Sequence, residues 1–324
     1  MGFKKHNSLR IALHRRLQHV WPWYVHAKAC CRYGMTYPRS LMTASRRLSA
    51  LPPISVDREG ALEVHMLVCH RDWKAAAWAA YSWYYHSERR DPFYLHDDGT
   101  LGPEQKEVFE RIFPGVHYVE RASADREMAQ VLDPVKHPAC REFRRTEIMG
   151  VKLFDAWHMG ASPYILNLDS DVLFFKRPDT LLRYLSAIHG GERMNNLFLQ
   201  DAIASYSYYS VSPERIREAF DVSMPKTFNA GMGFIDRQAM DLDTVERFLV
   251  AFSERDGYSA FMEQTVWAFL SARHGLELLD PSQYLVLQRA AEDKLEGVVA
   301  CHYAGAARAS FYTHGVPLFL AGGP

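Results

Sequence analysis

In the segment Pro163-Tyr164-Ile165-Leu166-Asn167-Leu168-Asp169-Ser170-Asp171, an apolar strand runs directly into two carboxylates. Side chains two residues apart on an extended chain point to the same side, so Asp169 and Asp171 project together. Two crowded anionic oxygens at the end of a buried strand need a cation, and Mg²⁺ or Mn²⁺ suits such ligands. Such an ion keeps positions for substrate phosphates, so the pair predicts a site for a nucleotide diphosphate. Taken alone, the two acids are equally well explained as solvated loop residues.

The composition predicts a globular protein with a basic amino-terminal arm. A chain of 324 residues with 48% hydrophobic content has room for one large α/β domain or two small ones. Residues 1–56 contain ten Lys or Arg and no Asp or Glu, whereas the remainder contains 28 basic and 38 acidic residues. We therefore predict an arm over residues 1–56 and one α/β domain over residues 57–324. The five cysteines are odd in number and lack a Cys-x-x-Cys spacing, so they indicate neither a disulfide framework nor a structural zinc site, and a reducing compartment is expected.

The hydropathy of the sequence and the composition of the arm indicate where in the cell the protein is expected. No run of 18 apolar residues and no signal-peptide pattern occurs, so we expect a cytoplasmic protein. Trp21, Trp23 and Tyr24 stand among basic residues, a pattern typical of peripheral contact with an anionic membrane. A helical extension packed on the domain and a disordered basic tail stay open. Salt-dependent contact with nucleic acid is a further alternative, although no specific nucleic acid is expected.

Strand and helix patterns alternate from residue 62 onward. We predict strands at 62–69, 93–95 and 116–119, helices at 73–86 and 103–113, and a long helix ending near residue 158. The alternation predicts an α/β protein with a mostly parallel sheet and helices on both faces. Ligands of such sheets bind beyond the carboxyl ends of the strands, where Cys69, His70, Asp97, Asp169 and Asp171 would gather.

Three further segments follow in the second half of the chain. A strand at 228–235 begins with Asn229 and Gly231, and a helix at 264–270 is preceded by Glu263. A late strand at 298–305 contains His302, and Arg308 follows it. Each segment has an ordinary explanation on its own: a turn, an acid at a helix amino terminus, and a strand-end histidine.

Taken in order, these motifs resemble the glycosyltransferase family 8 and glycogenin-like group. Members of that group have the Rossmann-like GT-A fold and use sugar nucleotides. The resemblance covers residues of about 62 to 312 and is specific through the order and spacing of its motifs. The motifs are Lys152-Leu153 before the strand, Asp169-Ser170-Asp171, Phe228-Asn229-Ala230-Gly231, Glu263-Gln264, and His302-Tyr303-Ala304-Gly305 with Arg308.

The resemblance implies a metal-dependent enzyme that transfers a sugar from a UDP-sugar with retention of configuration. It makes Asp169, Asp171 and His302 the ligands of Mn²⁺ or Mg²⁺, which would bridge the donor diphosphate. The residues implied to bind the donor are Cys69, His70, Trp73, Asp97, Lys152, Asn229, Gly305 and Arg308. The candidates near the reacting carbon are Glu263, Gln264 and Asp201. A double displacement and a same-face mechanism both stay open.

Four positions depart from the family pattern, and two other functions remain. Cys69 and His70 stand where the family often has small hydroxylated residues. Arg308 stands where the family usually has Lys, and Glu263 stands where it usually has Asp. A Mg²⁺-dependent phosphatase of the haloacid-dehalogenase type also places Asp-x-Asp after a strand, but it expects Thr or Val where Leu173 stands. A non-catalytic protein that binds a sugar nucleotide or glycan is the other alternative. The acceptor, whether lipid, polysaccharide, protein or small glycan, is not identified by the sequence.

Overall fold

A computed structural model describes residues 21–189, 194–201, 209–256, 259, 261–288 and 295–323. The arm before residue 21, and the side chains of Trp21, Trp23 and Tyr24, lie outside the described residues. The described strands are Leu62–Val68 (β1), Phe93–Asp97 (β2), His117–Val119 (β3), Tyr164–Leu168 (β4), Val172–Phe174 (β5), Asn196–Leu199 (β6), Asn229–Asp236 (β7), Leu276–Leu278 (β8), Tyr284–Leu287 (β9) and Ala300–Tyr303 (β10).

The described helices alternate with these strands. They are Trp21–Tyr33 (α1), Thr36–Ser49 (α2), Trp73–Ser87 (α3), Pro103–Ile112 (α4), Arg121–Val131 (α5), Pro138–Thr146 (α6), Ile148–His158 (α7), Asp179–His189 (α8), Pro213–Phe220 (α9), Leu242–Asp256 (α10), Met262–His274 (α11), Arg308–Ser310 (α12) and Val316–Gly322 (α13), with short 3₁₀ turns at Arg237–Ala239 and Gly305–Ala307 and a π-helical segment at Phe311–Gly315. None of the described helices has the length and hydropathy needed to cross a membrane.

The main sheet has the strand order β3-β2-β1-β4-β7-β6-β8. Only β7 runs against its neighbours β4 and β6 among these described strands, and the other pairs are parallel. The two faces of the sheet are covered by different cores, since Leu166 of β4 belongs to the same core as Trp78 of α3, and the adjacent Ile165 belongs to the same core as Phe154 of α7. The predicted α/β class, with a mostly parallel sheet and helices on both faces, is confirmed.

The long helix predicted to end near residue 158 is instead three helices, α5, α6 and α7. Pro138 begins α6, because proline has no N–H to donate and suits the first turn of a helix. Glu147 is extended between α6 and α7, with φ −120° and ψ 126°. The two helices are then tied by the buried ion pair of Arg144 and Asp155, with Nε 2.6 Å from Oδ1.

A second, smaller sheet of order β5-β10-β9 stands beside the main one. Strand β5 pairs antiparallel with β10, and β9 pairs parallel with β10. The chain therefore passes from the main sheet to the small one between β4 and β5, at residues 169–171. After β10 it forms the carboxyl-terminal helical segment, on which α2 packs, and the Tyr33 hydroxyl lies 2.9 Å from Ser310 Oγ.

Candidate metal and donor site

Backbone pairing fixes the turn between β4 and β5 from both sides. The N–H of Asp169 donates to the carbonyl of Gly231 at 2.8 Å, which continues the pairing of β4 with β7. The N–H of Tyr303 donates to the carbonyl of Asp171 at 2.9 Å, which continues the pairing of β5 with β10. The two aspartates thus occupy the junction of the two sheets, with the amino end of β7 and the carboxyl end of β10 beside them.

Asp169, Asp171 and His302 meet at this junction. One ligand atom from each lies within 4.8 Å of the other two. The Nε2 atom of His302 is 3.1 Å from Asp171 Oδ1 and 3.8 Å from Asp169 Oδ2. Asp171 and His302 are buried, whereas Asp169 is partly exposed. The junction therefore gathers two carboxylates and one imidazole at an edge that solvent reaches.

The donor set fits a divalent cation. Despite its closeness to the imidazole, the buried Asp171 Oδ1 accepts no well-aligned hydrogen bond from any described residue. A buried carboxylate oxygen without a donor costs free energy, and a bound cation would remove that cost. Carboxylate oxygens suit Mg²⁺ and Mn²⁺, and one imidazole nitrogen among them favours a transition ion such as Mn²⁺.

The imidazole of His302 is oriented through Asn229. The Asn229 Oδ1 atom accepts from the N–H of Gly231 at 2.9 Å, and its Nδ2 atom donates to Asp201 Oδ1 at 3.2 Å. These two contacts fix the amide orientation, so the contact of 2.9 Å between His302 Nδ1 and Asn229 Oδ1 is donated by the imidazole. A proton held at Nδ1 leaves Nε2 as the atom that faces the two aspartates.

The lack of a side chain at Gly231 leaves space for the imidazole ring of His302. A Cβ atom at position 231 would overlap the ring of His302 and lie 2.9 Å from Asn229 Oδ1. Glycine is therefore required at position 231 because the His302 ring approaches the backbone closely. Its backbone conformation is not the reason, because its φ lies outside the left-handed region.

Each aspartate of the pair also contacts one basic residue. Lys152 Nζ lies 2.8 Å from Asp169 Oδ1, and Arg308 Nε donates to Asp171 Oδ2 at 2.7 Å. Burial favours the neutral form of Asp171, but Arg308 and His302 outweigh it and hold the pKa of Asp171 below its usual range. Burial likewise opposes the charged form of His302, yet the facing carboxylates of Asp171 and Asp169 raise its pKa. The junction is therefore a tightly balanced group of opposite charges.

Lys152 links this group to Glu263. Its Nζ atom lies 3.3 Å from Glu263 Oε1 and donates to the carbonyl of Ala230 at 3.0 Å. Burial raises the pKa of Glu263 to about 7, because the opposing attraction of Lys152 is smaller and Asp169 adds repulsion. Glu263 is therefore a carboxyl group that holds or releases a proton near neutral pH. The adjacent Gln264 accepts at Oε1 from the N–H of Ala230 at 3.1 Å.

Arg308 reaches a residue that the sequence did not single out. Its Nη1 atom donates to Asp72 Oδ2 at 2.9 Å, and the Cys69 thiol lies 3.6 Å from the same oxygen. Asp72 thereby joins the predicted Cys69 position to the aspartate pair. The signal available in the sequence was an acid just before the helix that follows β1, but its partner lies 236 residues away.

The remaining predicted donor residues lie near β1 and β2. His70 is exposed, and its N–H donates to Thr100 Oγ1 at 2.8 Å. The buried Asp97 accepts at Oδ1 from three backbone N–H groups between residues 99 and 101, and its Oδ2 is 3.3 Å from Lys106 Nζ. Asp97 therefore stabilises the turn that follows β2. Its role in donor binding, like that of His70, stays a prediction.

Trp73 and Gly305 complete the predicted set. Trp73 is half-buried at the start of α3, and Lys74 Nζ lies 5.5 Å from its ring centre. Gly305 has φ +53°, a left-handed conformation that favours glycine, and it opens the 3₁₀ turn between β10 and Arg308. The structure thus brings the metal, catalytic and basic candidates together, and it places Cys69 beside them through Asp72.

Comparison with known proteins supports the fold. No protein-family model matches the sequence, and no curated protein sequence matches it. The crystal structure of mouse xyloside xylosyltransferase 1 in its apo form is similar, with a TM-score of 0.50 and 12% identity over 77% of this chain and 98% of that one. The apo structure of the WbbM bifunctional glycosyltransferase is also similar, with a TM-score of 0.50 and 13% identity over 84% of this chain and 51% of that one.

At such low identity the likeness concerns the fold. The chain has the fold of GT-A glycosyltransferases, and the haloacid-dehalogenase alternative is not favoured. Membership of glycosyltransferase family 8, which the motif order predicts, stays a prediction.

Proposed function

We propose that this protein is a metal-dependent glycosyltransferase whose donor is a nucleotide-diphosphate sugar, with a UDP-sugar as the first candidate. The observation that carries the proposal is the meeting of Asp169, Asp171 and His302 within 4.8 Å at the junction of the two sheets. In α/β sheets, ligands bind beyond the carboxyl ends of the strands, and β4 ends at this junction.

These three residues would hold Mn²⁺ or Mg²⁺. When bound, the cation supplies positive charge to the diphosphate as the bond to the sugar breaks. The proton at His302 Nδ1, donated to Asn229, keeps Nε2 available as a ligand. Asp201 acts one step further away by orienting the Asn229 amide. We assign Asp201 this positioning role in preference to direct contact with the reacting carbon.

Arg308 would act on the leaving diphosphate. A guanidinium has five N–H donors in a planar fork, and the contacts with Asp171 and Asp72 are made by Nε and Nη1. The remaining fork can donate to phosphate oxygens, whose negative charge grows during bond cleavage. Lys152 is held by Asp169, Glu263 and a backbone carbonyl, so it places a buried positive charge between the two acids.

Glu263 and Gln264 would face the sugar. In a double displacement the ionised Glu263 carboxylate forms a bond to the anomeric carbon as the bond to the diphosphate oxygen breaks. The acceptor hydroxyl then bonds to that carbon as the bond to Glu263 breaks, and its proton passes to the departed diphosphate. In a same-face reaction the leaving phosphate takes the acceptor proton and Glu263 stabilises developing positive charge on the sugar. Both mechanisms retain the configuration of the anomeric carbon, and we include this retention in the proposal.

A thermal-shift panel tests the donor. UDP-sugars and GDP-sugars are each added with Mn²⁺, because a ligand that binds only the folded state raises the unfolding temperature by mass action. We expect a UDP-sugar to raise it with Mn²⁺ and to lose most of that effect in excess chelator. Stabilisation by GDP-sugars alone would contradict the UDP assignment. Binding without any release of free UDP would instead support the non-catalytic alternative.

A further inference from the structure

A groove lies between α2 and α13, on the carboxyl-terminal side of Arg308. It encloses about 450 Å³, a size typical of small-ligand sites. It combines basic, hydroxyl and apolar side chains. Residues that line it include Arg39, Ser40, Thr43 and Arg47 from α2, and Pro317 and Leu320 from α13.

No residue in the part of the chain that the structure describes neutralises the charge of the groove. Arg39 and Arg47 are exposed, and neither forms an ion pair or side-chain hydrogen bond with a described residue. The segment before residue 21 cannot supply an acid either, since residues 1–56 contain no Asp or Glu. The groove is therefore complementary to an anion.

Exposed apolar side chains occur on the same two helices or directly before them. Met35 is 65% exposed, Met42 is 48% exposed, and Leu318 of α13 is 41% exposed. Met35, directly before α2, and Arg39, Met42 and Arg46 within it are spaced by four, three and four residues, which places them on one helical stripe in which apolar and basic residues alternate. Such a surface is typical of helices that lie at a membrane interface.

We propose that the groove and this stripe dock on an anionic lipid bilayer, with headgroup phosphates contacting Arg39 and Arg47. The hydroxyls of Ser40 and Thr43 would donate to the same phosphates. A free anion would account for the arginines but would leave Met35 and Met42 in water. A lipid surface covers both kinds of side chain.

The docking surface is coupled to the fold near Arg308. The Tyr33 hydroxyl contacts Ser310 Oγ at 2.9 Å, and Ala44 and Leu48 of α2 are buried in the core shared with Val316. Docking would therefore set the direction in which the rest of the molecule faces the membrane. The proposal does not depend on any catalytic activity.

The test is sedimentation of the full chain with vesicles made of equal parts phosphatidylglycerol and phosphatidylcholine, and with phosphatidylcholine alone. We expect binding to the anionic vesicles only. In the double variant Arg39→Ala, Arg47→Ala the partition coefficient falls about thirtyfold, since each basic residue near such a surface contributes about fivefold. The matched control Arg126→Ala, Arg217→Ala removes the same charge from exposed positions of α5 and α9 and changes it less than about twofold.

A second variant tests the apolar part without changing the net charge. We expect Met42→Ser with Leu318→Ser to weaken vesicle binding about tenfold, because two exposed apolar side chains no longer enter the interface. Unfolding temperatures that match the wild type show that these variants fold.

Three results would overturn the proposal. The first is equal vesicle binding by the groove variant and the wild type. The second is loss of binding in Arg15→Ala, Arg16→Ala while the groove variant binds normally, which would place the contact before residue 21. The third is a wild-type protein that does not bind the vesicles but does bind inorganic phosphate in calorimetry, with the phosphate binding abolished in the groove variant.

Discussion

At the scale of single residues, the site depends on the orientation of one imidazole. His302 reaches the aspartate pair because Gly231 leaves space for its ring, and Asn229 receives its Nδ1 proton. Asp201 fixes the Asn229 amide in turn. Mutation of a group that orients a metal ligand typically lowers metal affinity by about ten- to a hundredfold.

Gly231→Ala is therefore expected to weaken Mn²⁺ binding by about tenfold or more, because its methyl group displaces the His302 ring. Calorimetric titration of Mn²⁺ measures the change. The control is Gly322→Ala, where an added Cβ atom meets nothing within 4 Å. Unchanged Mn²⁺ affinity in Gly231→Ala would show that His302 is not a ligand.

Arg308→Ala is expected to lower kcat about a hundredfold while changing donor affinity much less, because a cation on the leaving group stabilises charge that appears in the transition state. Steady-state kinetics together with donor titration separate the two quantities. Were donor affinity alone to fall, Arg308 would be a residue that binds the donor in its ground state.

At the scale of elements, Glu63 ties three strands together at the end of the sheet opposite the site. Its Oε1 atom accepts from the N–H groups of Ala161 and Ser162 before β4, and its Oε2 atom pairs with Arg237 after β7. Burial alone would raise the pKa of Glu63, but hydrogen bonds from His65, Ser162 and Ala161 lower it to about 2.

A lowered pKa means that Glu63 stabilises the fold above its unfolded pKa near 4.5 and loses this contribution as the pH falls towards about 2. Glu63→Gln is expected to reduce the free energy of unfolding by about 3 kcal/mol at pH 7. Urea denaturation should show that the difference from the wild type shrinks at pH 3. The exposed Glu59→Gln is the matched control. An equal difference at both pH values would contradict the assignment.

The strands were predictable wherever the periodicity was local. The sequence predicts β1, β2, β3 and β7 within a few residues, because each is an apolar run between turn residues. It does not predict the small sheet, since β5 has only three residues and pairs with β10 more than a hundred residues later. The sequence does not identify Asp72 for the same reason. The residue is notable because it accepts a hydrogen bond from Arg308, and only the fold brings these two residues together.

At the scale of the whole molecule, the described helices of the arm belong to the body. Leu48 and Leu51 are buried in the core that contains β1 and α3. The Arg111 guanidinium donates to the carbonyls of both leucines. The N–H of Ile54 donates to the carbonyl of Ile112. The boundary between arm and domain at residue 56 remains a prediction from composition. The contacts above join residues on its two sides.

Leu48→Ala is accordingly expected to lower the free energy of unfolding of the whole body by about 3 kcal/mol, with one cooperative transition. Tryptophan fluorescence during urea unfolding measures it. The exposed Met42→Ala is the control. A separate early transition, with the main one unchanged, would mean that the arm folds independently of the body.

We expect the junction of the two sheets to act as a metal-dependent site for sugar transfer. The most direct test of this claim is the release of free UDP from a UDP-sugar by the wild type, by Asp171→Asn, and by Asp221→Asn as the control at an exposed αL position that Asn tolerates. We predict Mn²⁺-dependent release by the wild type and Asp221→Asn, and a loss of at least about a hundredfold in Asp171→Asn with unchanged circular dichroism. Full activity of Asp171→Asn, or of the wild type in excess chelator, would contradict the claim.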